Sequence, residues 1–281
     1  MILSMGGFAI GDMLIKIVTM EMPSGQFLIQ LGLCGAAFFA LVSHRQGQLV
    51  LSSDFLHGVV VTRNLGEAFG AFGFVTAIVL TPLSSASAIL QATPLAVTVG
   101  AALFLGEAVG WRRWSAILVG FGGVVLVIRP GLDGFQPASL FAVLGVIGLA
   151  VRDVATRAVP ARIISPVLAS YGFLMLVPAG IMQLTMTGGA TLPTAASYYL
   201  LVATLIVSIS AYYMLILSVR LGSVAAVTPF RYVRLVFALI IGVIVFHERP
   251  DHWTLLGAII IVLSGLYTAF RERKLLMQTD Q

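Results

Sequence analysis

The chain has 281 residues, of which 59% are apolar and only 10% are Asp, Glu, Lys or Arg, with a mean hydropathy of +1.05 and a formal net charge of +5. A water-soluble domain carries about 25% charged residues to cover its surface, so this composition excludes one. The sixteen basic residues stand singly or in pairs between apolar runs, which excludes a nucleic-acid-binding patch, and the single Cys34 excludes an intrachain disulfide or a cysteine metal cluster.

Apolar runs able to cross the roughly 30 Å hydrocarbon core as helices recur along the whole chain. They predict ten spans, at 2–20, 25–43, 57–79, 82–106, 112–128, 138–157, 164–185, 196–219, 223–246 and 252–270. The first carries Asp12 and Lys16 and has neither a basic leader nor a small-residue cleavage site, so it is read as a span and not a signal peptide. Cys34 lies inside the second run and reads as a small packing residue. Tight reversals are required at 80–82 and 220–222, where Pro82 and Gly222 can end a helix. An even number of spans puts both termini on one side. With that side inside, ten basic residues (Arg45, Arg63, Arg112, Arg113, Arg157, Arg162, Arg220, Arg271, Arg273 and Lys274) fall in cytoplasmic segments, against Arg129 and Arg249 outside. Positive charge is retained on the cytoplasmic face, so both ends are assigned there, in a multi-pass protein of a bacterial inner membrane.

A shift of 141 residues brings Asp12 onto Asp153, Lys16 onto Arg157 and Glu107 onto Glu248, and lays the small residues of 83–89 over those of 224–230. The expected fold is therefore an all-α membrane protein with two five-helix repeats, residues 1–136 and 137–281. Five is odd, so the second repeat enters the membrane in the opposite sense. Two near-equivalent packings, one open to each side, then follow from exchanging the conformations of the halves.

The run PLSSASAILQATPL at 82–95, LFLGEAVGWRRW at 103–114, GFGGVVLVIRPG at 120–131 and GSVAAVTPF at 222–230, followed by Glu248, resemble the drug/metabolite transporter superfamily, and within it the ten-helix transporters built from two EamA-type repeats. The resemblance covers nearly the entire chain. It implies a central substrate cavity lined by the first, third and fourth spans of each half. It does not imply one substrate, since similar proteins handle amino acids, S-adenosylmethionine, riboflavin and metallophores. Gln30 stands in the second span where many relatives carry a basic residue.

An ionisable side chain in hydrocarbon costs about 2.5–3.5 kcal/mol on insertion scales, so each needs a partner, water or a task. Arg231 and Arg234, three residues apart on one helical face, form either an anion clamp or a brace to Glu67 or Asp153. Glu67 is a proton-coupling acid or, four residues after Arg63, an intrahelical salt bridge. Asp12 with Lys16 and Asp153 with Arg157 read as self-neutralising pairs at spacing four; alternatively Asp12 and Asp153 exchange partners between access states as gating residues. Glu107 and Glu248 read as loop anchors at helix ends. Pro94 and Pro229 free the carbonyls of Leu90 and Ala225, Gln91 adds a polar handle, and Tyr212, Tyr213, Phe69 and Phe72 are aromatic candidates for the cavity wall or for packing. Gly7 with Gly11 and Gly66 with Gly70 read as close-packing notches.

The competing classes are a membrane enzyme and a receptor-like membrane protein. The chain has no HExxH, GxSxG or P-loop, and its four histidines lie in or beside loops on both sides. No catalytic residue, metal or cofactor is expected. The expected partners are a small-molecule substrate and the lipid bilayer, not nucleic acid, in a monomer or homodimer.

Overall fold

The computed structural model describes residues 1–50, 52–132, 135–192, 194–221 and 228–279. Among them the helices are α1 (Ile2–Val18), α2 (Ser24–Arg45), α3 (Gly58–Leu80), α4 (Leu83–Leu90), α5 (Thr93–Phe104), α6 (Trp111–Ile128), α7 (Ser139–Arg157), α8 (Ser165–Thr187), α9 (Ala195–Leu221), α10 (Val233–Val245) and α11 (His252–Thr279), with short 3-10 turns at Ser53–Leu56 and Thr228–Tyr232. Gly222 and Ala225, proposed to bound or open the ninth span, lie outside the described residues.

Seven segments are long and apolar enough to cross a membrane, and one of them is α4 and α5 taken together as Leu83–Phe104. The helices that fall short do so for a reason. Asp12 and Lys16 lie in α1, which has 17 residues; Arg63, Asn64 and Glu67 lie in α3; and α10 has only 13 residues. Asp12, Glu67 and Arg234, on α1, α3 and α10, meet at the centre of the bundle.

The fourth span breaks at Gln91 and Ala92, between α4 and α5. Pro94 does not interrupt a helix; it starts one, in the first turn of α5, where its missing N–H would have no partner anyway. The carbonyl of Leu90 that the proline leaves free accepts the Thr93 hydroxyl at 2.6 Å, so it is not left without a partner.

Glycines set the helix spacing. α3 packs along α7, α2 along α8, α6 along α11 and α1 along α9. A β-carbon at Gly148 would lie 2.3 Å from the Gly70 backbone nitrogen, one at Gly66 would lie 2.6 Å from that of Arg152, and one at Gly25 would lie 2.5 Å from the Gly180 carbonyl oxygen. Gly7 and Gly11 admit Ala211 and Ser208 of α9 in the same way. Lipid tails are as apolar as leucine, so close backbone approach supplies the attraction that burial supplies in water. Leucines and isoleucines such as Leu118, Ile147, Ile206 and Ile244 are left exposed on the outer surface, as is Cys34, contrary to its reading as a packing residue.

The 141-residue offset reappears in the geometry. Gly106 and His247 both have positive φ, 68° and 51°, immediately before Glu107 and Glu248. The N–H of Glu107 donates to the Ala101 carbonyl at 3.3 Å, and that of Glu248 to the Gly242 carbonyl at 2.9 Å, two bonds that superpose under the same shift.

Candidate functional site

A cavity of about 180 Å³ lies at the centre of the bundle. α1, α3, the α4–α5 break, α7, α9 and the segment leading into α10 contribute to it, as the resemblance implies, and α2 and α8 add Leu28, Leu31, Phe173 and Leu176.

Five side chains form an alternating chain of charge through this region. Arg63 Nη2 donates to Glu67 Oε2 at 2.8 Å, and Arg152 Nη1 donates to Glu67 Oε1 at 3.1 Å. Arg152 then holds Asp153 Oδ1 at 2.7 Å, and Arg231 Nη1 reaches Asp153 Oδ2 at 3.4 Å. Two glycines make this possible. Gly66 lets the α7 backbone approach at Arg152, and Gly172 leaves the volume filled by the Arg63 guanidinium, whose Nη1 would lie 2.3 Å from an added β-carbon. Arg63 also donates to Asn64 Oδ1 at 3.1 Å and to the Tyr212 hydroxyl at 3.2 Å. It was counted with the cytoplasmic segments above, but it is buried inside the bundle.

The sixth and seventh charges form a separate pair. Arg234 forks onto Asp12, Nη2 to Oδ1 at 2.8 Å and to Oδ2 at 2.7 Å, with Nε to Oδ2 at 3.0 Å. The rings of Phe8 and Phe74 flank its guanidinium, each with its centroid 5.1 Å away. A planar cation between two aromatic faces is held in place as well as neutralised.

Arg231 is held less firmly. Its side chain is 31% exposed against 16% for Arg234, and Asp153 is its one carboxylate contact among the described residues. Gln91 reaches across to the same segment and donates to the Arg231 carbonyl at 3.1 Å.

Of the residues singled out from sequence, Asp12, Glu67, Gln91, Tyr212, Arg231 and Arg234 line the cavity. Asp153 does not border it but holds Arg152 and Arg231, which do. Phe72 is displaced from the site: it is buried against Phe141 of α7, centroids 6.1 Å apart, because Gly70 and Gly73 on the same helix draw α7 onto that face. Phe69 is exposed on the outer surface, and Tyr213 packs with Phe38 and Phe39. Arg152, Phe8 and Phe74 were not singled out. The rule applied to the other intramembrane charges would have found Arg152; no local pattern marks the two phenylalanines.

The self-neutralising pairs do not form. Lys16 turns from Asp12 to the Thr81 carbonyl at 2.6 Å and Glu248 Oε1 at 3.4 Å, and Arg157 turns from Asp153 to Glu107 at 2.7 Å. These four residues are the ones related by the offset, so the two pairs are equivalent to each other. Glu248 also accepts the N–H groups of Leu83 at 2.6 Å and Ser84 at 3.0 Å, and so caps α4 with negative charge where a helix N-terminus favours it. The two clasps lie at opposite ends of the segment 83–104, which at 1.5 Å per residue spans roughly the bilayer core.

These features define a polytopic membrane protein with a charged internal cavity. The EamA-like transporter family model matches residues 1–129 and again residues 136–270, and the chain belongs to that family. Similar curated proteins include an S-adenosylmethionine uptake transporter of Rickettsia bellii, 30% identical over 83% of this chain and 79% of its own. A riboflavin transporter of Rhizobium johnstonii is 28% identical over 76% of this chain and 70% of its own. The pseudopaline exporter CntI of Pseudomonas aeruginosa is 25% identical over 92% and 90%. One solved crystal structure shares the fold, with a TM-score of 0.59 at 20% identity over 97% of this chain and 98% of that one. The family and these relatives are all named as transporters.

Proposed function

We propose that the chain is a secondary transporter of a small metabolite, and that Arg231 binds a carboxylate or other anionic group of an anionic or zwitterionic substrate. The observation that carries this reading is the contrast between the two arginines. Arg234 is held by three bonds to Asp12 and by two rings, whereas Arg231, beside the same cavity, has among the described residues one carboxylate contact at 3.4 Å and a partly exposed guanidinium. Gln91 holds its backbone, and Tyr212 forms part of the wall. The relatives are named for three chemically different compounds, so no substrate transfers from them. S-adenosylmethionine enters the first test panel because the relative sharing 30% identity is named for it.

Alternating access is the mechanism this reading carries, with ten spans in two inverted repeats, residues 1–136 and 137–281, and both termini cytoplasmic. Three observations support it. The family model matches twice, each time over one half. The helix contacts α3 on α7 and α1 on α9 exchange under the offset. The equivalent clasps differ, with side-chain exposures of 13% and 10% for Lys16 and Glu248 but 39% and 37% for Arg157 and Glu107. One clasp is drawn into the protein while the other lies at its surface. Asp12 and Asp153 act as gates, each holding an arginine of the ninth span. Glu67, bonded at both oxygens, braces α3 to α7.

A ligand-induced thermal shift on purified protein across a metabolite panel, repeated with Arg231→Gln, tests the site. The best ligand should stabilise the wild type and lose its shift in the variant, whose own melting temperature stays close to wild type. An unchanged shift would remove Arg231 from the site.

A further inference from the structure

We infer that the substrate is a net anion and that the cavity selects it over zwitterions and cations of the same shape; this rests on the Arg231 site proposed above. Among the described residues the central network contains four guanidinium groups, Arg63, Arg152, Arg231 and Arg234, and three carboxylates, Asp12, Glu67 and Asp153. Arginine keeps its proton in proteins, so the excess of one positive charge cannot be shed by deprotonation. Protonating any of the three acids would enlarge it. The clasps at the ends, Lys16 with Glu248 and Arg157 with Glu107, are one-to-one and leave nothing over to offset it. The missing negative charge has to arrive with the substrate.

The oxygens reach the same conclusion independently. Asp12 gives both oxygens to Arg234; Glu67 gives one to Arg63 and one to Arg152; Asp153 gives one to Arg152 and one to Arg231. The ammonium group of a zwitterion would therefore find every cavity carboxylate among the described residues already bound to a guanidinium, which repels it. Two of the aromatic rings that line the cavity, Phe8 and Phe74, already flank Arg234 and are not free to seat a second cation. At mid-membrane a surplus charge is costly, so a solute that cancels it gains affinity over one that leaves it or adds to it.

Three compounds on one scaffold separate the cases: N-acetylmethionine with net charge −1, methionine with 0 and S-methylmethionine with +1. Binding is read by thermal shift and isothermal titration on the full-length protein in detergent. The expected order of affinity is N-acetylmethionine, then methionine, then S-methylmethionine, with about tenfold or more between the first and last. Arg231→Gln, which removes the surplus, should flatten the order. Tightest binding of S-methylmethionine that is lost in Arg231→Gln overturns the charge preference and leaves the Arg231 site standing. Binding that the variant does not weaken overturns both. Absence of binding across the whole series, against a positive hit from the wider panel that carries no net negative charge, also overturns the preference, whereas a hit that is a net anion supports it.

Discussion

Arg234 meets Asp12 in a fork of bonds between 2.7 and 3.0 Å, joining α10 to α1 across the centre of the bundle. Only 5% of the Asp12 side chain and 16% of the Arg234 side chain are exposed, so little water is at hand for either charge if the other is removed. Breaking such a pair is far more destabilising than replacing both members. Asp12→Asn is expected to lower stability by roughly 3–5 kcal/mol, and the double replacement Asp12→Leu with Arg234→Met to recover much of that loss. Unfolding in a detergent–denaturant titration measures both, and an Asp12→Asn variant as stable as wild type would show the pair to be dispensable.

The α3–α7 contact makes a second prediction, because it positions Arg152 as well as the helices. Gly148→Ala places a β-carbon 2.3 Å from the Gly70 nitrogen, where backbone has to move. A loss of about 1–3 kcal/mol is expected from overpacking. Gly122→Ala, with nothing within 4 Å of the added carbon, is the neutral control. Equal effects of the two on melting temperature would contradict the close packing.

The clasp at Glu248 offers a test of the gating proposed above. Ser84 is buried, and its N–H is bonded to the Glu248 carboxylate. In a Cys34→Ser background, Ser84→Cys should react slowly with a membrane-impermeant thiol reagent applied from outside. Adding Glu248→Gln should speed that reaction severalfold by releasing Lys16 and the start of α4. Unaltered labelling would remove the clasp from the gate.

Asp251 lies outside the spans and caps α11. Burial works most strongly on its carboxyl and pushes the pKa up, but hydrogen bonds from the Thr254 backbone and hydroxyl, with the Arg129 guanidinium beside it, together hold it below the ordinary 3.8. The folded state therefore binds fewer protons there than the unfolded chain. The stabilisation is complete above the ordinary value and is lost as pH falls through the folded one. Asp251→Asn should lower the melting temperature near neutrality and flatten its decline on acidification below pH about 4. Parallel pH profiles for variant and wild type would count against the cap.

The sequence by itself determined the membrane class, most of the helices and the 141-residue relation between the halves. A bilayer imposes length and hydropathy on each span separately, and those are properties of a contiguous segment. It also marked Asp12, Glu67, Arg231 and Arg234, because an ionisable group inside an apolar run is visible without a fold. It did not determine partners. Spacing four put Lys16 beside Asp12 on the same helix face, yet α10 offers Arg234 to Asp12, and Thr81 and Glu248 draw Lys16 away. Phe72 and Phe74 looked alike in the sequence, but only Phe74 meets the cavity; the glycines beside Phe72 turn it onto α7. A charge buried among helices binds whichever opposite charge the packing brings closest, and that choice depends on crossing positions set by residues far away in the chain.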